Sequence, residues 1–400
     1  METPVVRRLQ IEAEIVAEDA EGFIQRLTDA YHLRQRPLCL CRPSGVPMYV
    51  ARIGKRLVVK RMPLTGKDHH PSCPSFEPVE DWAGLGASLW SAVNSRIESQ
   101  RVAIDVNFAL SKGRISTSAG AGNKRDAHKR APKAPLSLLA LLHLLWHAGG
   151  LVEWTGHWIG RRRWWHVHRH LVAACRQVSI RGEPLSQRVL IPESFKVEDK
   201  LAIETRRSRT LTRILRRGGN RRMLLIGEVK TFRGDRDGHE VIVKHLPRVR
   251  LPLDDVQHRR LQQRFATPLS LWRNEQSLHL MAIATVETAA AGALRVTEIA
   301  VMAVTEHWLP VEDAYELQLV NRLARRRSKM VKTLRFDVPR TQPIATVTLP
   351  KARPLPLALY RVPADADTDF ETRLAQKIRA HPQTRAWIWR PRDGMMPPLP

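Results

Sequence analysis

Cys39-Leu40-Cys41 places two thiols on the same face of a strand, because side chains alternate there with a period of two. Further along, His69-His70-Pro-Ser-Cys73 adds two imidazoles and a third thiol. Cys39, Cys41, His70 and Cys73 make up three sulfurs and one nitrogen, the donor set of a closed tetrahedral zinc site, with His69 as the alternative nitrogen. Four protein ligands leave no position open for a substrate, so Zn²⁺ bound there would be structural. The runs Pro37–Cys41, Met48–Ile53 and Leu57–Met62, separated by Pro-Ser-Gly and Gly-Lys-Arg turns, read as short strands. A β-knuckle confined to residues 37–75 buries too little apolar surface to hold without such a staple. Four cysteines in 400 residues are too few for a disulfide framework, and Cys175 reads as core.

A second chemistry is conceivable at Glu228-x-Lys230, on the strand-like run Leu224–Phe232. Glu-x-Lys on a strand is half of a restriction-endonuclease signature, in which a carboxylate holds Mg²⁺ and a lysine steadies the attacking water. The partner carboxylate is missing upstream, where the chain is an arginine-rich helix. The C-terminal order of helix, three strands, helix and strand matches the core of that nuclease fold, with Glu316 on the leading helix. Yet Pro343-Ile344 stands where Pro-Asp is needed, and the third strand, LALYRV, carries no acid. Such a core would be a degenerate one, since phosphodiester hydrolysis with bound cations needs at least two carboxylates.

The third group of residues is basic. Lys plus Arg number 66 against 39 Asp plus Glu, a formal charge of +27. Residues 112–176 carry 12 basic and 2 acidic side chains, 205–250 carry 14 and 4, and 322–353 carry 10 and 1. The rest of the chain is close to neutral, so the charge is a matter of three patches, and such patches fit a polyanion such as nucleic acid. In the first patch, Arg161, Arg162 and Arg163 precede a helix in a stretch holding five of the eleven tryptophans: Trp146, Trp154, Trp158, Trp164 and Trp165. Arginines and free amides at a helix start suit phosphate. In the second, Arg206, Arg209, Arg213 and Arg216 recur at helical spacing beside Leu211, Ile214 and Leu215, a cationic face opposite an apolar seam.

The elements that must position these residues read as an α+β, multidomain chain. The expected segments are residues 1–111, β-rich and containing the knuckle; 112–135, a mobile basic linker; 136–220, basic and helical; 221–310, β-rich; and 311–400, α/β. Helices are expected over Ala17–Tyr31, Leu136–Ala148, Arg161–Cys175, Ile203–Arg217, 253–273, 312–327 and 369–381. The second and third of these, with a following strand, would make a winged-helix-like unit. Strands are expected over 100–111, 278–287, 294–305, 332–337, 344–349, 356–362 and 385–390. A hairpin is expected from Met223–Lys230 and Val241–Leu246. The longest apolar stretch, Leu136–Val152, is broken by His143, His147 and a Gly-Gly pair, too short to span a bilayer. The acidic N-terminus lacks a secretory apolar run, so a cytoplasmic protein without membrane contact is expected.

The runs LCLCRPSGVPMYVARIGKRLVVKRMPLTGKDHHPSC, LLHLLWHAGGLVEWTGHWIGRRRWW, IPESF, LLIGEVK and EHWLPVEDAYELQLVNRL resemble, in the same order, the bacterial family called domain of unknown function 1173. The resemblance covers nearly the whole chain and implies an accessory protein of integrative and conjugative elements and plasmids. It implies other mobile-element proteins as partners and supports the Cys-x-Cys and His-x2-Cys zinc reading, but brings no activity with it. The expectation is therefore a DNA-binding accessory protein with a structural zinc site and phosphate-contacting arginines. The alternatives are a Mg²⁺-dependent nuclease using Glu228, Lys230 or Glu316, and a protein-interaction scaffold.

Overall fold

Met223–Asp235, His279–Thr288 and Leu294–Val304 are long strands whose side chains are buried at successive positions rather than at every other one. That burial requires a sheet covered on both faces. In the computed structural model, which describes residues 6–53, 56–62, 65–70, 73–76, 93–94, 102–110, 135–216, 222–235, 238–246, 249–288 and 294–400, these strands form the middle of a seven-stranded sheet. Its order runs Leu251–Leu253, Gly238–Val243, Met223–Asp235, His279–Thr288, Leu294–Val304, Pro310–Val311, all antiparallel, and Val189–Leu190 pairs in parallel with the start of Met223–Asp235.

Helix Leu138–Ala148 is buried almost all round, from Leu138 through His147, the pattern of a helix enclosed by other elements. It packs on helix Trp164–Cys175 and on strands His279–Thr288 and Leu294–Val304. Its start is fixed from a distance. Ser137 accepts the Ala140 amide at 3.1 Å, while Asp337 accepts both the Ser137 amide (2.9 Å) and its hydroxyl (2.5 Å). The C-terminal helices Ala314–Arg325 and Thr368–Arg379 are capped locally by Asp313 and Asp367.

Three smaller sheets surround this centre. The N-terminal one has the order Glu14–Ala17, Arg8–Ile11, Leu38–Cys39, Val46–Ile53, Arg56–Arg61. A second joins Glu183–Pro184, Val178–Ile180, Val102–Ile104 and Val93–Asn94. The third runs Arg385–Trp389, Leu357–Arg361, Val347–Leu349, Met330–Lys332, Glu153–Trp154, its first pair parallel and the rest antiparallel. The expected C-terminal order of helix, three strands, helix and strand is thus present, with one strand from the tryptophan-rich segment added. Strand pairing crosses the segments drawn from composition. Val102–Ile104 pairs with Val178–Ile180, Val189–Leu190 with Leu224–Leu225, and Glu153–Trp154 with Met330–Val331.

Several expected elements differ in extent. The first helix covers Phe23–His32, because residues 8–17 are spent on a hairpin. The helix expected from Arg161 begins at Trp164, leaving the three arginines in the preceding turn and cap. The helix expected over 253–273 is two, Asp255–Arg264 and Ala266–Asn274, broken at Phe265. The strand expected over 332–337 stops at Lys332, and Phe336 takes a φ of 51° as the chain turns to bring Asp337 to Ser137. The basic linker expected over 112–135 lies, apart from Pro135, outside the described residues.

Gly227 shows how closely the central sheet is packed. A Cβ at that position would stand 2.6 Å from Val243 Cγ1 and 3.4 Å from Pro192 Cγ. Gly227→Ala is expected to cost about 1–3 kcal/mol through overpacking, and Val243→Ala in the same chain to recover part of that loss. Thermal unfolding of the two single variants and the double variant checks the coupling.

Candidate metal centre and basic face

Leu38–Cys39 pairs on one side with Leu9–Gln10 and on the other with Val46–Pro47, which fixes Cys39 inside the small core of Leu9, Phe23, Leu27, Val46, Met48 and Val59. Cys41 follows in the turn, and Cys73 returns to the same core from a turn in which its amide donates to the His70 carbonyl at 2.8 Å. The donors converge. Cys39 Sγ lies 3.7 Å from Cys73 Sγ, His69 Nδ1 lies 3.3 Å from Cys41 Sγ and 3.6 Å from Cys73 Sγ, and all four ligand atoms fall within 4.8 Å of one another. A tetrahedral site with Zn–S of about 2.3 Å and Zn–N of about 2.0–2.1 Å has edges of about 3.8 Å between sulfurs and about 3.5 Å between sulfur and nitrogen. The cluster therefore has the donors and the spacing that could hold a metal ion such as zinc.

The nitrogen is that of His69, not His70. A 3-10 turn over Gly66–Asp68 ends at His69, which turns extended and sends its ring fully into the interior, 0% exposed. The next residue in an extended chain faces the other way. His70 is exposed, and it contributes its backbone amide, which donates to Cys41 Sγ at 3.4 Å. The Ser75 amide donates to Cys73 Sγ at the same distance. Amide donors of this kind favour thiolate over thiol. Without a cation, burial pushes the Cys39 thiol up to about 12 and holds His69 down at about 4. The imidazole is thus kept neutral, as ligation requires, while the thiols must surrender protons to a metal. The remaining ring nitrogen, Nε2, is buried with no hydrogen-bond partner among the described residues.

The three consecutive arginines separate into two environments. Arg162 is only 7% exposed, donates to the carbonyls of Leu151 (2.9 Å) and Glu153 (2.5 Å), and lies over the rings of Trp158 (5.0 Å) and Trp154 (5.6 Å). It is an internal brace and not a surface phosphate contact, contrary to the sequence expectation, because the turn into the helix points alternate residues inward. Arg161 and Arg163 are exposed on either side of it. Trp164 is buried and donates to the Pro192 carbonyl, whereas Trp165 is 40% exposed. Trp165 stacks on His166 and carries the guanidinium of Arg169 at 4.7 Å. Arg169 is not among the arginines expected from sequence to meet phosphate, although its position four residues after an exposed tryptophan is a helical contact spacing.

Helix Lys200–Arg216 is slightly longer at its start than expected. Arg206 makes a bidentate pair with Glu193, at 3.0 and 2.9 Å. Arg209 is exposed, and the side chains of Arg213 and Arg216 lie outside the described residues.

Of the hydrolytic candidates, the two carboxylates are tied up. Glu228 is 3% exposed and accepts from Lys244 Nζ and, at 2.7 Å, from His279 Nδ1. Burial works against its charge, but these two hydrogen bonds hold its carboxyl below the ordinary value. Lys230 does not share that site. The register shifts between Val229 and Thr231, and the bulge leaves Lys230 unpaired and exposed while the neighbouring strand supplies Lys244. Glu316, also 3% exposed, accepts from the Glu312 amide at 3.0 Å and lies 3.2 Å from Lys332 Nζ. Glu312 pairs with Arg335 and Asp313 with Arg361.

A family model described as protein of unknown function, DUF1173, matches residues 9–392, and the chain belongs to that family. No curated protein and no solved structure matches it. No helix among the described residues is long and apolar enough to cross a membrane.

The two adjacent histidines separate cleanly by substitution. Loaded with zinc or cobalt, the wild type and His70→Ala are expected to hold one ion per chain, and His69→Ala to lose most of it. Metal content by mass spectrometry, with the cobalt–thiolate absorption as a check on geometry, measures the difference.

Proposed function

We propose that this member of a family of unknown function is a DNA-binding accessory protein of mobile DNA, with zinc as a structural staple in its N-terminal sheet. The carrying observation is the exposed Trp165, in contact with His166 and the Arg169 guanidinium and flanked by exposed Arg161 and Arg163. Among the described residues none of these three arginines has an ion-pair partner, and the first turn of the helix holds no acid. Aromatic rings beside unpaired guanidinium groups offer a nucleic acid both a stacking surface and phosphate contacts. The mobile-element setting rests on the family resemblance.

Zinc is favoured by the Cys3His donor set and the tetrahedral edge lengths. A closed set supports a structural role, in keeping with the handful of apolar residues that surround it. Glu228 and Glu316 each already hold a lysine, which supports binding over hydrolysis.

Anisotropy titrations of labelled duplex and single-stranded DNA over a salt series test the reading. Neutralising one phosphate-binding cation should lower the slope of log affinity against log salt by about 0.9 for duplex. Arg161→Gln, Arg163→Gln and Arg169→Gln together should therefore flatten it by about 2–3, and Trp165→Ala should weaken single-stranded binding by about 1–3 kcal/mol. Arg206→Gln should change less, its charge being matched by Glu193. An unaltered slope in the triple variant would sink the proposal.

A further inference from the structure

A cavity of about 310 Å³ opens where strand Arg56–Arg61 meets the turn after helix Leu138–Ala148 and the tryptophan-rich segment. Its lining includes Arg7, Lys60, Arg61 and Arg162, with Glu153 the one acid among the described residues. Arg7 is neutralised by a two-pronged pair with Glu18. Lys60 and Arg162 are not matched in this way. Lys60 Nζ donates to the Gly149 carbonyl at 2.7 Å and lies 3.1 Å from His170 Nδ1, while Arg162 uses two of its donors on the Leu151 and Glu153 carbonyls. All of these partners are uncharged. An ammonium has three donors and a guanidinium five, so both cations retain N–H groups beyond those contacts.

Two desolvated positive charges held by neutral acceptors are costly, and the cost is relieved when an anion enters. The environment reflects that cost. Burial pushes Lys60 down to about 8 and Arg162 down to about 10, in each case offset in part by Glu153. Burial, and then Lys60 itself, hold His170 down at about 3, so its ring stays neutral, and its Nδ1 donates to the Gly149 carbonyl at 2.7 Å instead of accepting from Lys60. A phosphate monoester carries a charge of about −1.5 to −2 at neutral pH. That matches two unpaired cations, and a guanidinium fork beside an ammonium suits its oxygens. Ligand pockets run from about 300 to 1,000 Å³, which makes this one a place for a single small ligand and not for a strand.

We propose that this cavity binds the phosphate group of a ligand of mononucleotide size, with Lys60 and Arg162 as its charged contacts. The site adjoins the nucleic-acid face through His166, which lines it, but Arg161, Arg163, Trp165 and Arg169 do not. The phosphate could come from a free nucleotide or from the phosphorylated end of a nucleic acid, and the experiment separates these sources.

Calorimetric titration of the full chain at constant ionic strength would use inorganic phosphate, adenosine 5′-monophosphate, adenosine, and one short oligonucleotide with either a 5′-phosphate or a 5′-hydroxyl. Binding of phosphate and the mononucleotide, absence of adenosine binding, and a loss of about tenfold or more in Lys60→Met with retention in Lys60→Arg would bear the proposal out. Lys60-dependent preference for the 5′-phosphorylated oligonucleotide, without binding of the mononucleotide, identifies a strand end as the source. Should Lys60→Met not fold, acetic anhydride labelling of the wild type provides a second readout. The mononucleotide, or the phosphorylated oligonucleotide, should then slow modification of Lys60 and leave exposed Lys196 unaffected. The proposal fails if no phosphate-bearing probe binds, if Lys60→Met binds like the wild type, or if no such probe protects Lys60.

Discussion

The buried guanidinium of Arg162 ties together three parts of this molecule. By donating to Leu151 and Glu153 it fixes the turn that leaves helix Leu138–Ala148. That turn delivers Glu153–Trp154 as the edge strand of the C-terminal sheet. Its flat faces lie against Trp154 and Trp158, which a guanidinium tolerates in a dry setting better than an ammonium would, being less strongly hydrated. One side chain thereby couples the central helix, the C-terminal sheet and the start of helix Trp164–Cys175. It also decides which neighbours face out: with Arg162 committed inward, Arg161 and Arg163 are displayed together on the surface.

The N-terminal sheet answers to a different constraint. Its core is a short roster of apolar residues that includes two of the cysteines. A core of that size gains little from burial alone, and four converging donors offer what more apolar surface would supply elsewhere. The same sheet contributes Lys60 and Arg61 to the cavity against the helices. Stability of the sheet and shape of the cavity therefore depend on each other.

Two buried carboxylates sit in closed local sets. Glu228 with Lys244 and His279, and Glu316 with Lys332, are each satisfied within a few ångströms. A buried carboxylate left alone would be strongly destabilising, whereas a paired and hydrogen-bonded one is tolerated. These sets hold their elements in register, whereas the cations at the Trp165 face and Lys60 and Arg162 in the cavity have no carboxylate bonded to them among the described residues.

Much of this was legible in the residues themselves. Three of the four converging ligands, Cys39, Cys41 and Cys73, follow from thiol spacing on a strand and the return of the chain. Most helices and the long strands follow from apolar periodicity, and the family follows from motifs in order along the chain. What tertiary structure decided was direction. Whether His69 or His70 turns inward depends on where a 3-10 turn ends. Which of three adjacent arginines is buried depends on the approach to a helix. Which lysine meets Glu228 depends on a single bulge that rotates Lys230 out and leaves the place to Lys244. Asp337 caps a helix 200 residues before it, and no local pattern can encode that. Residue types and spacing determine which chemistry a chain can carry, because they act through local periodicity. Which copy of a repeated residue carries it is settled by a rotation of one position, and that rotation is set by contacts far away in sequence.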